Sequence, residues 1–179
     1  MFVYEYARPA VTVDAALVSR ERVPQILLIR RKNPPFQGHW ALPGGFVDEG
    51  ESLSDAVYRE LEEETSVSLD TTVYRLRQVS TFGDPGRDPR GWTITVTFAC
   101  VVDCEVKKVV KAADDAAEAC WFDIASLPPN MAFDHEEMVR EVCRCVVSWE
   151  DTPEYVCEYM SQTLTRQDPM FTGGVKNPE

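Results

Sequence analysis

The sequence has no basic patch, no paired CxxC motif and no N-terminal basic region leading into a long apolar run. The last absence argues against a signal peptide or membrane segment, so we expect a soluble cytoplasmic protein without membrane contact. The charge is one-sided, with 30 acidic against 18 basic residues and a formal net charge of -12. Such a surface repels nucleic acid backbones, so we expect no nucleic acid partner.

Cysteine and histidine give little sign of a thiol or imidazole site. We interpret the six cysteines as reduced thiols of the core, because they are scattered and lie mostly in apolar stretches. Cys143 and Cys145 would point to different faces of a helix, which argues against a metal or redox pair. The two histidines, His39 and His135, are expected to pack or cap rather than to catalyse. The scattered cysteines are Cys100, Cys104, Cys120, Cys143, Cys145 and Cys157.

The patterns that are present predict a single domain, a sheet covered by helices. Ser52 supplies a capping-box-like start for a helix that runs to about Thr65, with a second helix over 133–149. We interpret this as an α/β fold, an alpha-beta-alpha sandwich over residues 1–149, with an extension over 150–179 that is partly helical and then flexible. Predicted strands cover residues 10–18, 25–29, 73–82, 93–103 and 119–122; loops cover 33–39 and 83–91; residues 43–45 form a turn.

The first predicted helix carries an unusual cluster of acids. Glu60, Glu63 and Glu64 stand at i, i+3 and i+4, so their carboxylates share one strip of the helix surface. Each like-charge pair costs about 0.2 to 0.5 kcal/mol, and a bound hard cation would offset that cost. An isolated acidic triplet is more often a solvated helix face. Here a preceding glycine turn can aim a backbone carbonyl at the strip, and Glu51 and Arg59 can pair to brace the loop.

The spacing of this segment resembles the Nudix box. The matching residues are Gly45, Glu51, Arg59, Glu60, Leu61, Glu63, Glu64 and Val67. Ser66 is the one departure, because the family usually has glycine there, just past the helix end, where left-handed backbone angles are often needed. A serine at that position should cost about 1 kcal/mol, and it carries no ligand in the family scheme.

The resemblance implies a mixed sheet and a loop-helix-loop site that holds Mg²⁺, or Mn²⁺, and hydrolyses nucleoside diphosphates linked to another group. By resemblance Glu60 and Glu64 are the principal metal ligands, Glu63 is an additional ligand or orients water, and the Gly44 carbonyl is a further ligand. Arg59 and Glu51 are implied to brace this catalytic segment. Glu118 is a candidate base or metal ligand outside the box, and a solvated loop acid is the alternative interpretation.

Four segments outside the box, residues 8–10, 36–40, 83–91 and 132–135, resemble the ADP-ribose pyrophosphatase subgroup, and the resemblance covers roughly residues 3–148. On the loop 83–91, Arg87 and Arg90 are expected to clamp a phosphate, and Asp88 to meet a ribose hydroxyl. The alternative is a surface turn whose charges pair with each other. We therefore predict hydrolysis of ADP-ribose to AMP and ribose 5-phosphate, with a homodimer possible by resemblance. The rival predictions are a non-catalytic ADP-ribose sensor and a pyrophosphatase for oxidised nucleoside triphosphates.

Overall fold

The computed structural model describes residues 5–113 and 115–167, which form one mixed sheet and helices on both of its faces. The residues 168–179 that were predicted to fray lie outside this described part. No helix in the described residues is long and apolar enough to span a membrane. The strands are β1 Ala10–Ser19, β2 Gln25–Arg31, β3 Trp40–Ala41, β4 Gly44–Phe46, β5 Arg77–Phe82, β6 Thr93–Val102 and β7 Ala116–Asp123. The helices are α1 Leu53–Thr65, α2 Cys104–Val109, α3 His135–Val146 and α4 Glu154–Gln167.

The centre of the sheet is β1, which pairs with three other strands. The strand order is β3-β2-β1-β6-β5, with β4 added on β1 and β7 on β2. β1 runs parallel to β6 and antiparallel to β2 and β4, so the sheet is mixed. The first two predicted strands form β1 and β2, which pair with Val18 opposite Ile26.

The two faces of the sheet bury two separate hydrophobic clusters. Successive side chains of a strand point to opposite faces, and β1 places Val13 and Leu17 on the α1 side but Ala16 and Val18 on the α3 side. α4 packs into the same cluster as α3 through apolar residues that include Met160. This arrangement is the expected alpha-beta-alpha sandwich.

Helix α1 begins and ends as the sequence predicts. The Ser52 hydroxyl accepts the N–H of Asp55 at 3.0 Å, which caps the first turn. Ser66 ends the helix in the left-handed region, at φ 59 and ψ 17, and its N–H donates to the Glu62 carbonyl at 2.8 Å. The predicted left-handed angles at this serine are therefore confirmed.

Several predicted boundaries were wrong for local reasons. The strand predicted over 73–82 begins only at Arg77, because the Asp70 carbonyl accepts the N–H groups of Val73 and Tyr74 in a turn. The predicted turn over residues 43–45 gives way at Gly44 to the short strand β4. The helix predicted over 133–149 is shorter, since Phe133 has a φ of 48, outside the helical region. β3, β4 and α2 were not predicted.

Candidate active site

A cavity of about 320 Å³ opens beside β4, between α1 and the loop 83–91. Six acidic residues line it, and three of them come from regular elements near its centre: Asp14 from β1 and Glu60 and Glu64 from α1. The others are Asp48, Asp88 and Asp115. Four arginines also line it: Arg31, Arg59, Arg87 and Arg90. The pocket therefore brings acids that suit a cation together with guanidinium groups that suit an anion.

Glu64 is the most deeply placed of the α1 acids. Its residue is only 7% exposed, and burial raises the pKa of its carboxyl to about 8. The N–H of Gly44 donates to Glu64 Oε2 at 2.9 Å and opposes that rise. Burial also raises the pKa of Glu60, while Arg59 acts in the other direction. Two carboxylates in this environment gain stability from a cation that compensates their charge.

Gly44 and Gly45 of the box lie so close to neighbouring groups that neither position has room for a side chain. A Cβ atom on Gly45 would lie 2.5 Å from both carboxylate oxygens of Glu60, and one on Gly44 would overlap the Val13 carbonyl. The antiparallel register of β1 and β4, with Asp14 opposite Gly44, brings these groups together. The prediction that this backbone approaches another group closely is thus confirmed, although a strand and not a turn makes the approach.

Arg59 ties the loop before α1 to the helix acids. Its Nε and Nη2 donate to the two oxygens of Glu51, both at 2.8 Å, and this pairing lowers the pKa of Glu51 to about 2. Arg59 Nη1 donates to Glu60 at 2.7 Å and to Glu63 at 3.1 Å, and Nη2 reaches the Phe46 carbonyl. The guanidinium therefore joins three glutamates, and Arg59 and Glu51 occupy the bracing positions that the resemblance implies.

The predicted metal ligands come together only in part. Glu60 and Glu64 line the pocket, whereas Glu63 does not, and its side chain is 45% exposed. Gly44 lines the pocket and contacts Glu64 through its N–H. Within residues 5–113 and 115–167, no three His, Cys, Asp or Glu side chains converge as a metal site. The half-buried Glu60 and the buried Glu64 nevertheless fit a hard divalent cation, because both supply oxygen donors whose charge burial disfavours.

Glu118 lies away from this pocket. It faces Arg30 across the β2–β7 pairing, and its carboxylate is 3.1 Å from Arg30 Nη1. Its side chain is 49% exposed and does not line the cavity. The structure therefore does not bring Glu118 to the α1 acids, and an exposed ion pair accounts for its charge.

The three loop residues line the pocket, and their charges also pair. Arg87 donates to both oxygens of Asp134, at 2.8 and 2.5 Å, and its side chain is 6% exposed. Arg90 donates hydrogen bonds to both oxygens of buried Asp88, at distances between 2.7 and 3.1 Å. The two interpretations from the sequence, a substrate-binding loop and a surface turn with paired charges, therefore each describe part of the structure. Asp88 is engaged by Arg90, so it orients that guanidinium at the pocket wall.

Sequence reasoning missed a buried polar pair in the wall of the pocket. Asp14 accepts the Thr95 hydroxyl, and its Oδ1 lies 3.8 Å from His135 Nε2. The Leu42 N–H donates to His135 Nδ1 at 2.9 Å, which places the proton of the neutral ring on Nε2. Burial raises the pKa of Asp14 and lowers that of His135. A single aspartate inside the apolar β1 was the signal that could have found this pair.

Comparison with known proteins identifies the family of this protein and several of its relatives. The NUDIX domain profile matches residues 8–142, so the protein belongs to the Nudix domain family. It is 45% identical to the ADP-ribose pyrophosphatase of Methanocaldococcus jannaschii over 139 residues, 78% of this chain and 76% of that protein. It is 35% identical to the ADPR responsive transcriptional repressor NtrR of Acinetobacter baylyi over 141 residues, 76% of this chain and 54% of the repressor. This chain thus spans about half of the repressor's length.

Its structure is also similar to a solved complex. The NUDIX domain of Shewanella oneidensis NrtR complexed with ADP ribose has a TM-score of 0.67 and 32% identity, over 76% of this chain and 88% of that one. The sequence-based assignment to the Nudix hydrolases, and the resemblance to the ADP-ribose pyrophosphatase subgroup, are confirmed. The family requires a divalent metal, which agrees with the buried acids of the pocket.

Proposed function

We propose that this Nudix hydrolase cleaves ADP-ribose to AMP and ribose 5-phosphate, with Mg²⁺, or Mn²⁺ in its place, held by Glu60 and Glu64. The observation that carries this proposal is one pocket that contains the buried Glu64, the half-buried Glu60 and four arginines. A metal-bridged anionic substrate suits both the glutamates and the arginines at once. The names of the Methanocaldococcus relative and of the ADP-ribose complex support the choice of substrate.

The roles of this chain's residues follow from their contacts. A bound divalent cation supplies neutralisation of the diphosphate charge and a more acidic bound water. Arg59, braced by Glu51, fixes the carboxylate of Glu60 in place through a 2.7 Å hydrogen bond. A carboxylate of the pocket accepts the proton of the attacking water, and the α1 acids Glu60 and Glu64 are the candidates carried over from the box, since Glu118 lies outside the pocket. Glu63 lies outside the pocket and contacts Glu60 only through Arg59, and the Gly44 carbonyl remains a candidate ligand.

On the substrate side, the loop 83–91 presents its arginines to the pocket. Arg90, held by Asp88 and lying 4.8 Å from the Phe46 ring centroid, contacts the diphosphate. Arg87 already donates two hydrogen bonds to Asp134. It therefore contributes positive potential at the pocket wall, and these donors do not contact the substrate. We further propose, from the family resemblance, that the enzyme works in the cytoplasm as a homodimer. Its strong negative charge favours the absence of a nucleic acid partner.

A non-catalytic sensor of ADP-ribose is the second candidate. It is favoured by the name of the Acinetobacter relative, a repressor that is much longer than the matched region. The complete set of box carboxylates in this chain favours the enzyme. A panel of ADP-ribose, NADH, nucleotide sugars and oxidised nucleoside triphosphates separates the enzyme, the sensor and the sanitation enzyme, because a sensor binds without turnover.

The test replaces the two pocket glutamates. We expect the wild type to release AMP from ADP-ribose with Mg²⁺, and the double variant Glu60→Gln, Glu64→Gln to lose at least about 100-fold in kcat. Glu62→Gln is the matched control, because Glu62 is exposed on the same helix and does not line the pocket. Circular dichroism and the unfolding midpoint verify that each variant folds.

The roles of the two glutamates and the identity of the substrate can each be contradicted separately. A fully active double variant would contradict the roles of Glu60 and Glu64. Absence of AMP release, together with turnover of another dinucleotide or nucleoside triphosphate, would remove ADP-ribose as the substrate and keep the hydrolase.

A further inference from the structure

Of the four arginines that line the pocket, three are already engaged by acids. Arg59 pairs with Glu51, Glu60 and Glu63; Arg87 pairs with Asp134; Arg90 pairs with Asp88. Arg31, at the end of β2, differs from them. Among the residues described, no carboxylate lies within 4.0 Å of its guanidinium, and its one hydrogen bond is from Nε to the Pro35 carbonyl at 2.9 Å.

The guanidinium of Arg31 is nevertheless held in a defined place. It lies 5.1 Å from the centroid of the Phe133 ring, and Arg90 lies 5.5 Å from the same centroid. Phe133 packs on Phe36 at 4.7 Å, and both have positive φ angles, 48 and 60. Such backbone angles in bulky residues cost energy and persist where the surroundings fix them. Phe133 therefore positions two guanidinium groups along one wall.

This arrangement leaves Arg31 at the pocket without a direct ion pair among the described residues. Arg31 is partly buried; burial and the neighbouring Arg90 lower its pKa, while the charges of Glu64, Asp88 and Asp14 raise it. Only its Nε has an acceptor, so its terminal Nη groups have donors to offer to a ligand. Phosphate oxygens match the planar fork of an arginine in charge and in geometry.

We propose that Arg31 binds the phosphate oxygens of the substrate's diphosphate and thereby places it against the acids of α1. The inference rests on the proposed function for the identity of that substrate, but the anion site itself follows from the contacts of Arg31. Phe133 acts as a positioning residue, because its ring sets the place of Arg31 and of Arg90. This assigns phosphate binding to a residue outside the box and outside the loop 83–91.

The neighbouring Arg30 provides a matched control. Arg30 donates to the Gly38 carbonyl and to Glu118, and it does not line the pocket. Arg31→Gln and Arg30→Gln remove the same charge one residue apart. Arg31→Lys keeps the charge but loses the bidentate fork.

The binding experiment is isothermal titration with Mg²⁺ present, and a non-hydrolysable methylene-bridged analogue of ADP-ribose replaces the substrate so that hydrolysis does not interfere. The probes are this analogue, inorganic pyrophosphate and uncharged adenosine. We expect Arg31→Gln to weaken binding of the analogue and of pyrophosphate about 10- to 100-fold, Arg31→Lys to weaken it less, and Arg30→Gln to leave it unchanged. Adenosine binding should be the same in all variants. With Mg²⁺ the KM for ADP-ribose should rise more than kcat falls.

The outcomes separate this inference from the proposed substrate. If pyrophosphate binding is lost in Arg31→Gln but the wild type does not hydrolyse ADP-ribose, the anion site stands and the substrate assignment fails. If the wild type hydrolyses ADP-ribose while Arg31→Gln and the wild type have equal KM and equal pyrophosphate affinity, the inference is overturned. It is also overturned if the wild type binds neither anion, or if Arg30→Gln and Arg31→Gln weaken binding equally.

Discussion

At the scale of single residues, backbone geometry decides what two box positions can hold. Gly45 has no room for a side chain because Glu60 occupies the space, and Ser66 adopts the angles at which glycine is favoured. The close contact at Gly45 bears on function, and the backbone angles at Ser66 bear on stability.

Gly45→Ala should disturb the chemistry more than the fold. The new methyl group would meet the Glu60 carboxylate at 2.5 Å and displace it from the pocket. A displacement of about 1 Å at a reacting centre lowers rates by about 100-fold, so we expect a fall of that order in kcat. Gly83→Ala is the control, because its methyl group would only touch Ile94 at 3.3 Å. Steady-state kinetics measure both, and unchanged kcat in Gly45→Ala would contradict the prediction.

Ser66→Gly should stabilise the protein by about 1 kcal/mol, since glycine adopts φ 59 without steric cost. Urea unfolding measures the gain. Ser68→Gly provides the comparison, because Ser68 is exposed nearby but does not have a positive φ. Equal effects of the two substitutions would show that left-handed strain at Ser66 is not the cause.

At the scale of elements, α4 behaves as part of the core. The sequence predicted a partly helical extension after residue 149, and this domain boundary stays a prediction. The helix buries Val156, Met160 and Leu164 in the cluster that it shares with α3. α3 in turn begins at His135, which lines the pocket. We infer that α4 supports the site indirectly by fixing α3.

Met160→Ala should therefore destabilise the protein by about 2 to 5 kcal/mol, as expected when a large buried side chain is truncated. Met160 is fully buried, whereas Gln162, two residues later, is exposed. Gln162→Ala is the control and should change the unfolding free energy by less than about 0.5 kcal/mol. Chemical denaturation compares the two, and a neutral Met160→Ala would indicate that α4 is peripheral to the fold.

At the scale of the whole molecule, the sequence predicted local structure but not the contacts between residues that are distant in the chain. The acids of α1, the cap at Ser52 and the turn angle at Ser66 depend on neighbours within a few residues, so spacing revealed them. Arg31 and Phe133 meet at the pocket although they are far apart in the chain. Partners such as Asp134 for Arg87 decide whether a charge is available, and no periodicity predicts such pairs.

The position of β1 has a consequence for any redesign of this protein. One continuous strand supplies Leu17 to one core, Val18 to the other and Asp14 to the pocket. A repacking on either side of the sheet shifts the same backbone, because close-packed interiors transmit strain. The two cores and the site cannot be engineered as independent modules.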